Sequence, residues 1–199
     1  VPTISNYFYE TFIAAVEEDA RKQGYAVLIL QSGNDPAIEN ENLKLFRQNR
    51  VSGVFACISS NTTDLKGFER MNEMDIPVVF FDIVPKDNKY TKVRMADERC
   101  AIIAAEKIIE RGAKRVLAIF GDPALSISQK RKQAFQQFME KYAAKTHCTY
   151  INTHSSAEAE AAFDKHFNKS QKFDTVFAMT DEILIGVMKS IQAHNIKVP

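Results

Sequence analysis

The chain has 199 residues, of which 45% are hydrophobic and 26% charged, so it can bury one large core or two modest ones. Its formal net charge is +1, with 26 basic side chains against 25 acidic ones, which excludes the electrostatic surface of a nucleic-acid-binding domain. No apolar run approaches the roughly 20 residues of a membrane-spanning helix, and the first residues lack a signal-peptide pattern. We therefore expect a globular protein without a membrane partner.

Short β-branched runs alternate along the chain with longer segments of helical period. This alternation is typical of an α/β fold, in which mainly parallel sheets are flanked by helices. The candidate strands, in chain order, are Ala26–Leu30, Val54–Ile58, Val78–Asp82, Lys92–Met95, Val116–Phe120, Thr149–Asn152 and Thr175–Met179.

Helix signals fill the intervals between these strands. Asp35 followed by Pro36 indicates an N-cap with proline at the first helical position, and Ser155 with Glu158 fits a capping box. Gly24 and Gly112 are placed to end helices, because glycine adopts a left-handed conformation readily. The expected apolar helix faces are Phe8, Phe12, Val16 and Ala20; Ala101, Ile102, Ala105, Ile108 and Ile109; Ala134, Phe135, Phe138 and Tyr142; and Leu184, Val187, Met188 and Ile191.

Both ends of the sequence depart from this alternation. The first eight residues have the character of a loop that leads into a helix, with no strand before it, and the last residues follow a helix where another strand is expected. We therefore expect the fold to be truncated at both ends. Polar stretches at 85–89 and 111–115 are the visible interruptions, and we place a subdomain boundary at the second one, giving units of 1–112, with its first strand missing, and 113–199, incomplete.

Enzyme signatures are mostly missing. The chain has no G-x-S-x-G, no P-loop, no H-E-x-x-H and no G-x-G-x-x-G, so we expect neither catalysis nor a cofactor. Cys57, Cys100 and Cys148 lie far apart without a C-x-x-C motif, and the four histidines form no cluster, so no metal site is expected. Unpaired cysteines indicate a reducing compartment, which favours a cytoplasmic location.

Polar and aromatic residues follow several candidate strands, at the edge of the sheet where α/β proteins bind ligands. Amide, hydroxyl and carboxylate groups beside aromatic rings suit a small polyhydroxylated ligand. Each residue also has an ordinary structural interpretation as a turn former, a helix cap or the start of a core face, and that alternative stays open. The candidates are Asn6, Tyr7, Phe8, Ser59, Asp82, Thr180 and Asp181.

Arg131 is the strongest single candidate for a ligand contact. It lies ten residues after Gly121, early in a helix, where a guanidinium opposes the helix dipole unless an anion or a ligand oxygen compensates it. Because Lys130 and Lys132 flank it, a solvated basic turn is the alternative.

The order of several short motifs closely resembles the effector-binding core of LacI/GalR-type bacterial transcriptional regulators. Each motif is weak alone, but together they span essentially the whole chain with family-like spacing. The motifs are Pro2-x-Ile4-Ser5-Asn6-x-Phe8, Gly24-Tyr25, Asp35-Pro36, Arg50-Val51-Ser52-Gly53-Val54, Ile76-Pro77-Val78-Val79 with Asp82, Glu106-x-x-x-x-Arg111-Gly112, Gly121-x-Pro123, Arg131-x-x-x-Phe135 and Phe177-Ala178-x-x-Asp181.

The resemblance implies two Rossmann-like subdomains of the periplasmic-binding-protein type I fold, hinged around a small-molecule site. It implies a homodimer that binds operator DNA only through an N-terminal helix-turn-helix headpiece, which this sequence does not contain, with effector binding controlling the DNA contact allosterically. In the family pattern, Tyr7 and Phe8 line the cleft from one subdomain and Arg131 reaches the ligand from the other. Asp97 and Thr180 fall where relatives often carry ligand-contacting polar groups.

Two other classes of protein compete with the regulator. A periplasmic sugar-binding protein of an ABC transporter shares the fold and the cleft, whereas an enzyme on a similar scaffold has no nucleophile, metal or cofactor motif in its favour. The scattered cysteines and the stretch around Arg131 favour the regulator. The sequence upstream would discriminate, since a regulator carries a helix-turn-helix there and a transporter protein a signal peptide.

Overall fold

A computed structural model of the chain describes residues 1–167 and 173–198. The described residues form two compact units that divide between Met95 and Ala96, called unit 1 and unit 2 and treated separately below. No described helix combines the length and the apolar character needed to cross a membrane. The elements are α1 (Tyr7–Lys22), α2 (Pro36–Gln48), β1 (Val54–Ala56), α3 (Lys66–Glu73), β2 (Val78–Phe81) and β3 (Thr91–Val93) in unit 1, and α4 (Asp97–Glu110), β4 (Arg115–Phe120), α5 (Ser126–Tyr142), β5 (His147–Asn152), α6 (Ser156–Phe167), β6 (Thr175–Ala178) and α7 (Asp181–Ala193) in unit 2.

Unit 1 is built on a parallel sheet in the order β1-β2-β3. Phe80 of the central strand is fully buried, and its ring makes edge contacts with Phe68 of α3, at 5.0 Å between centroids, and with Tyr90, at 5.1 Å. Met71 and Leu43 belong to the same main core. Burying each such side chain contributes roughly 1.5–3 kcal/mol, so this cluster is the principal stabilising feature of the unit.

The expected strand Ala26–Leu30 is not a strand in the described residues, and that prediction was wrong. A strand requires a hydrogen-bonded neighbour, and this segment has one only at its end, where the Val1 amino group donates to the Leu30 carbonyl oxygen (3.1 Å). Elsewhere the segment borders a groove of about 1090 Å³. The groove is lined largely by apolar side chains, among them Phe12 and Val16 of α1, Leu43 and Phe46 of α2, and Val54 of β1.

Unit 2 is built on a parallel sheet in the order β5-β4-β6. The central strand β4 pairs with β5 over six consecutive residues, and every residue of β4 from Val116 to Phe120 is buried. On one face, Phe135 of α5 stacks on Phe177 of β6 at 4.7 Å between ring centroids. On the other face, Leu117 and Ile119 pack against α6 and α7. The α/β architecture of parallel sheets flanked by helices is thereby confirmed.

The boundary between the units lies at Met95–Ala96, whereas the sequence led us to expect it at 112/113. The difference arises from α4, whose Ala101 and Ala105 belong to the same buried cluster as Phe135 of α5. The packing of its apolar face therefore assigns α4 to unit 2, although the polar stretch at 111–115 follows it in the sequence.

The expected helix punctuation is present. The Asp35 side chain caps α2, and Ser155 Oγ accepts a hydrogen bond from the Glu158 backbone N–H (3.2 Å). Gly24 and Gly112 have φ angles of +79° and +71°, in the left-handed region where glycine is favoured.

Four residues expected on core faces are exposed instead, namely Phe8 (43%), Tyr142 (57%), Leu184 (47%) and Met188 (37%). Phe8 and Tyr142 occupy the first turn of α1 and the last residue of α5, so they lie at helix ends rather than in the middle of a packed face. In α7 the buried side is formed by Ile183, Gly186, Val187 and Ser190, so Leu184 and Met188 lie outside it.

Candidate functional site

An ion pair between Arg131 and Asp97 is the most buried pair of opposite charges in the described part of unit 2. Arg131 Nε donates to Asp97 Oδ1 at 3.0 Å, and the two side chains are 17% and 9% exposed. Arg131 is the sixth residue of α5, one turn further from its start than expected, and Asp97 is the first residue of α4. The close packing of α4 on α5 therefore brings the two side chains together.

Arg131 also contacts the end of the sheet. Its Nη1 atom donates to the backbone oxygen of Met179, at a long 3.4 Å, and Met179 directly follows β6. A partly desolvated guanidinium keeps its charge, so a carboxylate partner is required. Asp97 supplies it, which decides against the alternative of a solvated basic turn.

A second polar network lies beside β4 and β5. Lys132 Nζ donates to Asn152 Oδ1 at 2.6 Å, and Asn152 Nδ2 donates to the Gly121 carbonyl oxygen at 2.6 Å. Asn152 and Gly121 stand at the carboxyl ends of two adjacent strands. Lys132 is therefore held at the same edge of the sheet as Met179.

Thr180 and Asp181 begin α7 at this edge. Thr180 is the N-cap, and its Oγ1 accepts from the Ile183 N–H at 3.3 Å. Asp181 is exposed, and its Oδ1 accepts from the Glu182 N–H at 2.9 Å. Thr180 thus has the capping role of the alternative interpretation, and Asp181 is the first residue of the helix and accepts from a first-turn N–H. A hydroxyl or carboxylate in such a position retains lone pairs for a further partner.

In unit 1, Asp82 directly follows β2 and contacts a buried phenol. Tyr9 donates to Asp82 Oδ2 at 2.8 Å, and Cys57 Sγ lies 3.3 Å from the Tyr9 hydroxyl. Burial raises the pKa of the Cys57 thiol to about 11, and burial followed by the neighbouring Cys57 and Asp82 raises the pKa of Tyr9. The Cys57 thiol and the Tyr9 phenol are therefore both neutral near pH 7.

Asp82 has a φ angle of +58°, which is uncommon for a residue other than glycine. Such a conformation costs on the order of 1–3 kcal/mol and persists where the surrounding contacts determine it. The hydrogen bond from Tyr9 is one of those contacts.

Asn6, Tyr7 and Phe8 lie at the start of α1. Asn6 is the N-cap, and its Oδ1 accepts from the Phe8 N–H at 2.9 Å. Tyr7 is 74% exposed, and Phe8 packs edge-on against Tyr9 at 5.3 Å between centroids. Two aromatic rings are thus accessible at this end of the helix.

Ser59 follows β1, but its side chain faces the interior. It is fully buried, its Oγ donates to Ser32 Oγ at 3.3 Å, and its backbone N–H donates to Glu39 Oε2 at 2.7 Å. Glu39 is itself buried and also accepts from the Thr62 hydroxyl at 2.8 Å. The Glu39 carboxylate therefore holds the loop after β1, and Ser59 is part of that support.

Among the nine predicted site residues, the structure brings Asp97 and Arg131 into direct contact and joins Asn6 to Phe8 through the cap. Within each unit, no direct side-chain hydrogen bond joins Tyr7 to Ser59 or Thr180 to Asp181 in the described ranges. Tyr9, Glu39 and Lys132 were missed. The signal for Tyr9 was its position three residues before Phe12 on a helix face. The signal for Glu39 was its position four residues after Asp35, where it resembles an ordinary acidic residue of a first helical turn.

No group of three or more His, Cys, Asp or Glu residues in the described ranges is arranged to hold a metal ion. In unit 2, Arg131 supplies hydrogen-bond donors and Asp97 supplies carboxylate oxygens. In unit 1, Asp82 supplies a carboxylate and the Tyr7 ring supplies an apolar face.

A family model described as periplasmic binding protein domain matches residues 1–198. The chain is 25% identical over 199 residues to catabolite control protein A of Staphylococcus epidermidis, an alignment that covers 100% of this chain and 60% of that protein. The chain thus spans less than two thirds of this relative's length.

Solved structures of similar fold include regulators and a transport protein. The Cra transcriptional dual regulator of Pseudomonas putida, in complex with fructose 1-phosphate, matches with a TM-score of 0.86, 21% identity and coverage of 97% of this chain and 72% of that one. A LacI family transcriptional regulator of Enterococcus faecium, with bound ribose, matches with a TM-score of 0.84 and 18% identity, and the match covers 100% of this chain and 72% of that one. An ABC transporter periplasmic solute binding protein of Actinobacillus succinogenes, with bound D-allose, matches with a TM-score of 0.88 and 14% identity, and the match covers 98% of this chain and 72% of that one.

At these identities the solved structures establish the fold alone, which is the expected periplasmic-binding-protein type I fold. The proteins named are transcriptional regulators and a binding protein rather than enzymes. The family is shown by the model that matches residues 1–198. The chain belongs to the periplasmic binding protein domain family, which confirms its resemblance to the effector-binding core of LacI/GalR-type regulators.

Proposed function

We propose that this chain is the effector-sensing part of a LacI-type transcriptional regulator and that it binds a sugar or a related polyhydroxylated metabolite. The regulators and the transport protein of similar fold carry fructose 1-phosphate, ribose and D-allose, which supports a carbohydrate ligand. The protein is a sensor and not an enzyme in this proposal.

The Arg131–Asp97 pair is the observation that carries the proposal. It lies beside the carboxyl edge of a parallel sheet, where α/β proteins bind ligands, and it combines donors with acceptors. A sugar hydroxyl both donates and accepts, so it matches such a pair. Thr180 and Asp181 at the start of α7 are the further contacts proposed for unit 2.

In unit 1, we assign Asn6, Tyr7, Phe8 and Asp82 to the effector. Tyr7 would cover the apolar C–H face of a sugar ring, and Asp82 would accept from a hydroxyl. Ser59 has a supporting role instead, because its hydroxyl already donates to Ser32 and the residue is fully buried.

The regulator as a whole would act as a cytoplasmic homodimer that binds operator DNA through a headpiece outside the present sequence. Effector binding would change the balance between two arrangements of the sensor and thereby the affinity for DNA. The formal charge of +1 agrees with a sensor that leaves the DNA contact to another part of the protein.

A ligand screen tests the proposal. D-Ribose, D-allose, D-fructose and a set of nucleosides would be titrated against the chain by thermal shift, with isothermal titration calorimetry on each hit. A true effector at 100 times its Kd stabilises the folded state by about 2.7 kcal/mol. No stabilisation by any sugar or nucleoside would contradict the proposal.

The matched variants separate binding from folding. Arg131→Ala alone leaves the Asp97 carboxylate without its partner, so this substitution should lower stability as well as binding. The double variant Arg131→Met with Asp97→Asn removes both charges and should abolish the thermal shift, whereas Lys130→Met, which alters a partly buried neighbouring cation, should retain it. Retained binding in the double variant would refute the assignment of Arg131.

A periplasmic sugar-binding protein of an ABC transporter is the second candidate. It is favoured by the TM-score of 0.88 with the D-allose-bound transport protein. Sequencing the gene upstream of Val1 discriminates between the two, because a helix-turn-helix there supports the regulator and a signal peptide supports the transporter.

A further inference from the structure

The hydroxyl of Tyr9 is a feature of unit 1 that ring packing does not require. Tyr9 is 7% exposed, and its ring makes edge contacts with Phe8 and Phe81 at 5.3 and 6.3 Å between centroids. A phenylalanine ring would make the same contacts. A buried tyrosine hydroxyl, in contrast, requires a hydrogen-bond partner, so its place in the core depends on what it binds.

This hydroxyl joins α1 to the ends of two strands. It donates to Asp82 Oδ2 at 2.8 Å, and Cys57 Sγ lies 3.3 Å from the hydroxyl and 3.9 Å from the same carboxylate oxygen. Cys57 directly follows β1, and Asp82 directly follows β2. Burial raises the pKa of the phenol and of the thiol, so near pH 7 Tyr9 keeps the proton that it donates.

Asp82 is a side chain whose orientation depends on such a donor. It is half-buried, and its φ angle of +58° lies in the left-handed region. An aspartate side chain can rotate among staggered χ1 positions unless its contacts select one. A fixed donor on Oδ2 selects the position that keeps the 2.8 Å bond, so a ligand would meet the carboxyl in a defined orientation.

Tyr9 itself is not placed to touch an effector. Its ring is buried, and its hydroxyl is directed at Asp82 and Cys57. Tyr7, two residues earlier in α1, is 74% exposed and offers its ring directly. Any influence of the Tyr9 hydroxyl on a ligand must therefore pass through Asp82.

We propose that Tyr9 is a positioning residue, whose hydroxyl holds the Asp82 carboxyl in the orientation that accepts a hydroxyl of the effector. This inference rests on the proposed sugar-binding function and on the assignment of Asp82 within it. It gives α1 a residue that sets the affinity for the effector without contacting it.

The first measurement needs no ligand. The three-bond couplings between the α and β protons of Asp82 report its χ1 angle, and they would be compared by NMR in the unchanged chain and in Tyr9→Phe. This substitution keeps the ring and removes the donor. We expect couplings of one rotamer in the unchanged protein and averaged couplings in the variant. A single rotamer that persists in Tyr9→Phe would overturn the inference.

The second measurement is the affinity for D-ribose, D-allose and D-fructose by calorimetry. Tyr9→Phe should weaken binding by about threefold to tenfold, which corresponds to the net contribution of one hydrogen bond. Tyr90→Phe is the matched control, since Tyr90 is 8% exposed in the same unit and its hydroxyl has only a long 3.5 Å bond to Glu69. The control should bind these sugars as the unchanged protein does. Equal affinities in Tyr9→Phe and Tyr90→Phe would refute the role of Tyr9.

A double-mutant cycle with Asp82→Gly separates positioning from a general loss of stability. Glycine adopts a φ angle near +58° without strain, so this substitution removes the carboxyl and keeps the turn. If Tyr9 acts through Asp82, Tyr9→Phe should change the affinity by less than about twofold once Asp82 is glycine. The same loss of affinity in both backgrounds would overturn the inference.

The two kinds of measurement distinguish this inference from the proposed function. If no sugar binds to the unchanged protein while the Asp82 couplings become averaged in Tyr9→Phe, the proposed function fails and the account of Tyr9 as the residue that orients Asp82 stands. If sugars bind and the couplings do not change, the proposed function stands and the role of Tyr9 is refuted.

Discussion

The two units use the same three-stranded parallel sheet but bury it differently. In unit 2 the central strand β4 has buried residues on both faces, with one cluster under α4 and α5 and another under α6 and α7. In unit 1 the main cluster lies around Phe80, while the side of β1 and residues 25–30 borders a groove of about 1090 Å³. Unit 2 thus has a large buried cluster on each face of its sheet, whereas unit 1 has, beside its main cluster, a smaller one of Tyr9, Cys57 and Phe81 and the groove.

The difference extends to the polar edges of the two sheets. At the sheet edge of unit 2, an ion pair joins α4 and α5, which pack on the buried core. At the sheet edge of unit 1, neutral groups donate to carboxylates instead: the Tyr9 hydroxyl donates to Asp82, and the Ser59 backbone N–H donates to Glu39. A rigid support keeps a binding group in its productive geometry, so we expect the Arg131–Asp97 pair to be the better preorganised of the two candidate contact sets.

The largest expected effect is the loss of the stacked ring at the centre of unit 2. Phe135→Ala removes a fully buried side chain and should cost about 3–5 kcal/mol of unfolding free energy, because the transfer term and the cavity add. Phe55→Ala in unit 1 removes a ring of the same size that is 53% exposed beside the groove, and should cost much less. Urea denaturation of both variants gives the comparison, and equal losses would show that the two cores are closed to the same degree.

This contrast also explains which parts of the fold could be predicted from the sequence. The strands that were found, such as Val116–Phe120, are those whose continuous apolar residues are buried between two layers of helices, so the pattern and the packing agree. Ala26–Leu30 has the same apolar pattern and failed, because a strand depends on a neighbour in the sheet as well as on its own residues. The division of the structure at Met95–Ala96 was not visible in the sequence for a related reason, since only packing reveals which unit α4 covers.

The candidate site was predictable in its residue types and less so in its contacts. Arg131 was identified from its position in a helix, but its partner lies 34 residues away, and nothing in a single sequence joins the two. Tyr9 and Asp82 are separated by 73 residues and meet only because α1 packs beside the sheet. Ser59 was expected at the ligand because it follows a strand, whereas the direction of its side chain is set by Ser32 and Glu39.

A second prediction concerns the open side of unit 1. The Ser32 N–H donates to the Val1 carbonyl oxygen at 3.0 Å and the Val1 amino group donates to Leu30, a pattern of bonds that matches one rung of a parallel ladder. A strand of about five apolar residues added before Val1 would continue this ladder into the groove. The added strand should raise the unfolding free energy by on the order of 2 kcal/mol, because the free energy gained by burying its apolar side chains exceeds the entropic cost of ordering its residues.

The control for the added strand has proline at its second and fourth positions, because proline cannot donate to a ladder. Thermal unfolding should separate the two extended proteins by several degrees, and hydrogen exchange should show new protection at 26–30 only with the first. If both extensions have the same effect, the groove does not accept a strand and the contrast between the units has another origin.

The smallest expected effect concerns the side-chain hydrogen bonds that join two helices of unit 2. Ser190 and His194 of the α7 region both donate toward Asp164 of α6, and these hydrogen bonds, that of Ser190 first, lower the pKa of the Asp164 carboxyl. A carboxylate with a lowered folded-state pKa stabilises the protein above its unfolded pKa of about 3.9 and loses that contribution as the pH falls through the folded value. Ser190→Ala should therefore cost below about 1 kcal/mol at pH 7, since Asp164 is substantially exposed and water replaces the lost donor. The loss of unfolding free energy should shrink as the pH falls below the pKa of the unfolded carboxyl, so urea denaturation at neutral and acidic pH checks it. A loss that stays constant with pH would mean that Ser190 contributes by packing. The buried core of unit 2 would then account for the stability of these helices without the hydrogen bonds to Asp164.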